Sequence, residues 1–219
     1  MTQAMRIPLT GRAASTPLTT RALLACGAVA GPLFLGVGVV EGLTRTGFDF
    51  SRNAISQLSL GSLGWIQIAT FVVTGVLVTA GAVGLRRAIG PTWAPRLVGV
   101  FGASFLLAGV FTADPGAGFP GGTPDGPARL SGHGTVHMLS GTVGYLALCA
   151  AFFVLARHFA TQGRPGWALA YRILPLGVLA GFAGSAATVA AFTAAAGLGL
   201  LALTAAIARL AGPAPTSRR

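Results

Sequence analysis

The chain alternates between long apolar stretches and short segments that carry nearly all of its charge. A helix needs roughly 20 mainly apolar residues to cross a bilayer core of about 30 Å. The last apolar stretch, residues 173–208, holds no charged residue and as one helix would reach about 55 Å, so we divide it at a turn near residues 188–193. The pattern predicts an all-α bundle of six transmembrane helices, at residues 22–40, 66–85, 97–113, 134–156, 172–188 and 193–209.

The arginines occupy alternate connecting segments. Twelve of the fifteen lie before the first helix, after the second, after the fourth or after the sixth, whereas all four acidic residues lie in the other connections. Because cytoplasmic segments carry an excess of arginine and lysine, both termini are predicted to be cytoplasmic. We expect one multi-pass plasma-membrane domain, residues 22–210, between a disordered cytoplasmic tail at 1–21 and a cytoplasmic tail at 211–219.

Composition supports a membrane protein and argues against a nucleic-acid-binding one. Only 9% of residues are charged, against roughly 25% in a soluble domain. The net charge of +11 comes from arginines at helix ends, not from one patch interleaved with aromatic residues. We therefore predict membrane lipids as partners and no nucleic acid. No oligomeric state follows from this pattern.

Two further features concern packing and the first outer loop. Gly27 and Gly31 form a small-xxx-small face that permits close helix approach. In the loop at 42–64, the segment from Ser51 is predicted to form a short interfacial helix, capped by Ser51, with Ile55 and Leu58 towards the membrane. The second outer loop, 114–132, is rich in glycine and proline.

Four ionisable residues are brought by this topology to one depth in the outer leaflet. Glu41 and Asp114 end the first and third helices, and His133 and His137 begin the fourth, four residues apart on one helix face. Each lies at the helix end that disfavours its charge. Compensation is expected from mutual pairing, a cation, a ligand, or the nearby Arg45 and Arg129.

Three interpretations of this cluster remain open. In the first, the residues only cap helix ends; in the second, they line a polar cavity for a small molecule or lipid. Alternatively, His133, His137 and Asp114 bind a divalent metal such as zinc, for which two histidines and a carboxylate are a workable ligand set. The HExxH motif is absent, because Gly134 occupies the position of its glutamate. No other cofactor is predicted.

The segment containing Asn53 and Ser56 adds an amide, hydroxyls and a guanidinium near the same surface. It is suited to a phosphate or lipid headgroup, or is a capped surface helix. No GxSxG elbow or phosphate loop is present. The middle of each predicted span lacks ionisable residues, which argues against a charge-translocating pump.

Six short motifs surround these positions: Gly31-Pro32, Glu41-Gly-Leu-Thr-Arg-Thr-Gly-Phe-Asp49, Arg52-Asn-Ala-Ile-Ser-Gln-Leu58, Gly61-Ser-Leu-Gly-Trp-Ile-Gln67, Ala113-Asp-Pro115 and His133-Gly-Thr-Val-His137. Together they resemble the domain-of-unknown-function 998 family of six-helix bacterial membrane proteins. The resemblance extends over residues 22–210 and is strongest at 27–70 and 110–157. It implies the same architecture and the same outer polar positions, and it implies no catalytic role.

We therefore predict a membrane protein that binds or handles a small molecule or lipid in an extracytoplasmic polar pocket. One alternative is a metal-assisted membrane hydrolase that uses His133, His137 and Asp114. Another is a structural or partner-binding subunit without a ligand. The predicted pocket residues are Glu41, Asn53, Ser56, Asp114, His133 and His137.

Overall fold

The computed structural model describes residues 17–185 and 187–212. Over these residues it is all-helical, and its six α-helices are each long and apolar enough to cross a membrane, as the hydrophobic pattern predicted. The elements are α1 (Leu18–Thr44), a 3-10 helix (Ile55–Ser59), α2 (Gly64–Ile89), α3 (Trp93–Val110), α4 (Gly132–Thr161), α5 (Pro165–Gly184) and α6 (Val189–Ala211). The predicted tails at 1–21 and 211–219 lie largely outside the described residues.

Most helix ends lie two or more residues from the predicted positions, and two of these differences affect the connections between helices. The turn between α5 and α6 lies between Gly184 and Val189, because the Thr188 hydroxyl accepts a hydrogen bond from the N–H of Ala190 and so caps the start of α6. Helix α3 ends at Val110 rather than at residue 113. The chain is already extended at Phe111, four residues before Pro115.

The helices form a closed ring in chain order. Each packs against the next, and α6 packs against α1. The predicted glycine face makes close approaches to two neighbours: a β-carbon on Gly27 would lie 2.8 Å from the Cα of Gly81 in α2, and one on Gly31 would lie 2.9 Å from the carbonyl oxygen of Leu200 in α6. Small residues thus bring α1 against both α2 and α6.

Aromatic rings fill the half of the bundle nearest the two long connections, 45–63 and 111–131, which we call the loop end. The ring of Phe34 lies 5.1 Å from the rings of both Phe71 and Phe105, centroid to centroid. Outward-facing positions are apolar too, as at Val40, where 62% of the residue is exposed. An apolar surface of this kind suits a bundle surrounded by lipid.

Candidate functional site

The two long connections are joined by buried amide side chains. Asn53 is fully buried; its Oδ1 accepts from the N–H of Asp49 at 3.0 Å, and its Nδ2 donates to the carbonyl of Ala117 at 3.3 Å. Gln57 Nε2 donates to the carbonyl of Gly116 at 3.2 Å. Asn53, a predicted pocket residue, therefore lies in a structural link between the loops.

The interfacial helix expected from Ser51 begins only at Ile55. The hydroxyl and N–H of Ser51 instead donate to the Asp49 carboxylate, at 2.7 and 2.8 Å. These hydrogen bonds hold the pKa of Asp49 below its usual range. Ile55 and Leu58 are buried, whereas the sequence predicted that they would face the membrane. The reason is that the 3-10 helix packs onto α1 and α2 and covers the loop end of the bundle.

Glu41 is buried in the last turn of α1 and is compensated by Arg45. Arg45 Nη1 lies 3.4 Å from Glu41 Oε1. The same guanidinium donates to the carbonyls of Leu58 and Leu60, at 3.1 and 2.6 Å, and lies 5.3 Å from the centre of the Phe119 ring. The contacts fasten the end of α1 to the segment that contains the 3-10 helix.

Asp114 lies at a helix end other than the one predicted. Its carboxylate accepts from the N–H and the hydroxyl of Ser131, at 2.7 and 2.6 Å. Ser131 is the N-cap of α4, and its hydroxyl oxygen accepts from the N–H of Gly134. Because α3 ends at Val110, Asp114 is free to reach the N-terminus of α4, where the helix dipole favours a negative charge. The prediction of an unfavourable position was wrong.

His133 and His137 share a helix face but differ in environment. His133 is exposed, with its ring centroid 5.2 Å from that of Phe111. His137 is buried, and its Nδ1 lies 2.8 Å from the carbonyl oxygen of Phe111. The centroid of its ring lies 5.8 Å from that of Phe71, in a T-shaped arrangement. Among residues 17–185 and 187–212, no three His, Cys, Asp or Glu side chains are grouped so that they could hold a metal ion.

A cavity of ≈ 440 Å³ lies inside the bundle beneath the 3-10 helix. Its walls come from all six helices and are mainly aliphatic and aromatic. Of the six predicted pocket residues, Ser56 and His137 line the cavity, whereas Glu41, Asn53, Asp114 and His133 do not. The sequence did not single out its aromatic lining, since these residues lie in apolar runs where core and cavity positions look alike: Phe34, Phe71, Phe105, Tyr145, Phe182 and Phe192.

Few polar groups face this cavity. The Tyr145 hydroxyl is already occupied, because it donates to the carbonyl of Ala196 at 3.1 Å. The Thr193 hydroxyl is buried and has no hydrogen-bond partner among the described residues. Since His137 Nδ1 faces a carbonyl oxygen, it carries a proton, and Nε2 of the neutral ring is then an acceptor.

The exposed lining residues locate the mouth of the cavity on the side of the bundle. Met138 on α4 is 56% exposed, and Thr142 and Ser185 are exposed as well. Met138 and Thr142 belong to α4, and Ser185 directly follows α5, the helix next to α4 in the ring. The exposed lining therefore lies on the side of the bundle formed by α4 and the end of α5.

Comparison with known proteins gives one result. Searches of the curated proteins and of the solved structures found no match. The sequence model of a family described as a protein of unknown function (DUF998) matches residues 28–215, which is most of the chain and agrees with the resemblance of the motifs. The chain therefore belongs to the DUF998 family.

Proposed function

We propose that this membrane protein binds a lipid-like molecule, with an elongated apolar part and a small polar group, in the cavity beneath the 3-10 helix. The observation that carries the proposal is an aromatic-lined cavity of ≈ 440 Å³ within a helical bundle. Sites for small molecules typically measure about 300–1,000 Å³ and combine apolar walls with a few placed polar groups. The cavity matches that description.

The polar groups in the cavity wall favour a ligand whose polar headgroup forms hydrogen bonds. His137 Nε2 is suited to accept a hydrogen bond from a ligand hydroxyl. Among residues 17–185 and 187–212, no Asp, Glu, Arg or Lys lines the cavity. A charged head would therefore meet no counter-ion, at a large desolvation cost, which favours a neutral head such as an alcohol.

The position of the mouth favours entry from the bilayer. Neighbouring outward residues on α4, Leu139 and Val143, are 59% and 55% exposed and apolar, as expected for a surface in contact with acyl chains. A ligand dissolved in the bilayer would reach Met138 and Thr142 without crossing water. Lateral entry therefore fits an apolar ligand better than entry through the loops, which are joined by buried amides.

The distribution of acidic residues and arginines supports a proposal for the leaflet that the cavity faces. The four acidic residues all belong to the loop end, while Arg86, Arg96, Arg157 and Arg164 lie at or near helix ends opposite it. By the positive-inside rule the arginine end is cytoplasmic and the loop end extracytoplasmic. In this orientation the cavity takes its ligand from the outer leaflet of the plasma membrane.

Gly141 provides a specific test, since it lines the cavity and a β-carbon there would meet nothing within 4 Å. Gly141→Leu should fill part of the cavity without a clash. Gly36→Leu is the matched control: Gly36 is also a helical glycine with open space, but it is exposed on α1 and does not line the cavity.

The measurement is the binding of hexadecanol to protein in nanodiscs, with mass spectrometry of co-purified lipids beside it. Wild-type and Gly36→Leu proteins should bind the probe and retain the same lipids, and Gly141→Leu should lose at least about tenfold in affinity, a change of about 1.4 kcal/mol. Equal binding by all three proteins, or binding by none, would contradict the proposal and favour a subunit without a ligand.

A further inference from the structure

A second polar site lies away from the cavity lining, between α1 and α2. Gln67 is fully buried, and neither its Oε1 nor its Nε2 has a hydrogen-bond partner among the described residues. Glu41 is 6% exposed, and its Oε2 is unpaired as well, although Oε1 contacts Arg45. Native proteins rarely leave buried polar atoms unpaired, so two such side chains at one level of the bundle point to a small hydrogen-bonding partner.

The register of α1 and α2 brings the two side chains to the same level. The helices run in opposite directions and touch at Gly27 and Gly81. Glu41 and Gln67 each lie two heptads from that contact, towards the loop end, and so on the same seam. Between the two levels, the ring of Phe34 in α1 meets the ring of Phe71 in α2 at 5.1 Å.

The 3-10 helix covers this site. It packs against both α1 and α2. Ile55 lies over Gly38, where a β-carbon would come within 2.7 Å of its Cγ2, and the backbone of Ser59 lies against Gly64. Glu41 and Gln67 therefore both lie beneath the 3-10 helix, and their low exposure shows that bulk water does not reach them.

The unpaired atoms define what the partner must do. Glu41 Oε2 and Gln67 Oε1 require donors, and Gln67 Nε2 requires an acceptor. A metal cation cannot accept a hydrogen bond from an amide, and the Arg45 guanidinium on Glu41 would repel it. A water molecule donates twice and accepts, and a buried water typically makes about three hydrogen bonds.

We propose that Glu41 and Gln67 hold one ordered water molecule, which bridges α1 to α2 beneath the 3-10 helix. The site is independent of the ligand proposed for the cavity, because neither residue lines that cavity. The water completes the hydrogen bonding of Glu41, whose other carboxylate oxygen is held by Arg45.

Substitution of Gln67 tests the bridge by the sign of a stability change. Gln67→Met keeps length but removes both polar atoms. If the water bridges, the change leaves Glu41 Oε2 unpaired and lowers the melting temperature by about 3–8 °C. If the amide is truly unpaired, removing it leaves the melting temperature unchanged or raises it, and the proposal is overturned.

Thr74→Val is the matched control. Thr74 is also fully buried on α2, and its hydroxyl also lacks a partner among the described residues. The α1 residue at its level is the apolar Phe34, so no second polar group depends on it. The melting temperature of Thr74→Val should stay within about 2 °C of the wild type or rise, and a fall equal to that of Gln67→Met would count against the bridge.

A structure of the wild-type protein in nanodiscs, at a resolution that shows water, decides between a bridge and a direct contact. We expect density within hydrogen-bonding distance of Glu41 Oε2 and of the Gln67 amide. A direct bond from Gln67 Nε2 to Glu41 Oε2, or an empty space between them, would overturn the proposal even if Gln67→Met is unstable.

Discussion

Arg45 is the residue on which the polar contacts of the loop end converge. Its side chain is only 10% exposed, and it contacts a carboxylate, two carbonyls and the face of an aromatic ring. A planar guanidinium with five donors can serve these acceptors at once, which an ammonium cannot do with the same geometry. Arg45 thus neutralises a buried charge and fixes the segment around the 3-10 helix in one arrangement.

The substitution Arg45→Gln should therefore strongly destabilise the folded protein. Removing one partner of a buried ion pair leaves the other charge uncompensated and costs about 3–5 kcal/mol in the free energy of unfolding. Arg52→Gln is the control, since the Arg52 side chain is 50% exposed and its contacts with Asp49 and Asp125 lie on the surface. Denaturant unfolding in detergent should show a loss of about 1 kcal/mol or less for Arg52→Gln; comparable losses for the two variants would contradict this account.

The polar residues of the site were only partly predictable from sequence, for a reason visible at Asp114 and His137. Topology places them at one end of the bundle, and the structure does so. Which group each one contacts depends on where α3 ends, and that end is set by local backbone conformation at Phe111. Asp114 consequently bonds Ser131, and His137 faces the cavity.

At the scale of elements, α1 packs closely against two neighbouring helices, α2 and α6. Its buried stripe alternates small and large residues and includes Gly27, Gly31, Phe34, Gly38 and Glu41. The glycines allow backbones to touch, and Phe34 fills the space where the helices separate. Helix α1 therefore contributes to three features: the glycine contacts with its neighbours, a wall of the cavity and one side of the buried polar site.

A larger side chain at the contact between α1 and α2 should push the two helices apart. In Gly27→Leu, the β-carbon would lie 2.8 Å from the Cα of Gly81, a backbone atom that cannot move independently of its helix. Overpacking of this kind costs about 1–3 kcal/mol, and occasionally more. Thermal unfolding should show that loss of stability for Gly27→Leu, whereas Gly36→Leu should retain wild-type stability. A Gly27→Leu protein as stable as the wild type would contradict the close contact between α1 and α2.

Helix existence was predictable from sequence, and helix ends were not. A helix that crosses the hydrocarbon core needs an apolar run of known length, so four runs of that length and one of nearly twice that length predicted the six helices observed. Helices continue past the apolar run until a cap or turn stops them: α5 starts at Pro165, a favoured first helical position, and so includes Arg172. The hydropathy of the sequence does not show where such a cap or turn lies.

At the scale of the whole molecule, charge is divided between the two ends of the ring. All three ion pairs formed by the described residues are at the loop end. The described arginines of the opposite end have no acidic residue on their side of the bundle. In the orientation proposed above, anionic headgroups of the cytoplasmic leaflet would be the counter-charges of these arginines.

Cysteine labelling tests this orientation. In a background with Cys26→Ala and Cys149→Ala, Gly121→Cys introduces a thiol at an exposed loop-end position, and Thr92→Cys introduces one at the opposite end. A membrane-impermeant maleimide added to intact cells should label Gly121→Cys, and should label Thr92→Cys only after permeabilisation. The reverse result would place the loop end in the cytoplasm and move the proposed ligand to the inner leaflet.

The junction of α6 with α1 is the one contact in the ring that joins the two extremes of the described chain. Every other seam between neighbouring helices can form as soon as two successive segments have been synthesised. Because the cavity takes Leu35 from α1 and Thr193 from α6, its wall is complete only after α6 has left the ribosome. A polypeptide that stops before α6 can therefore form most of the contacts between successive helices and still lack a closed cavity.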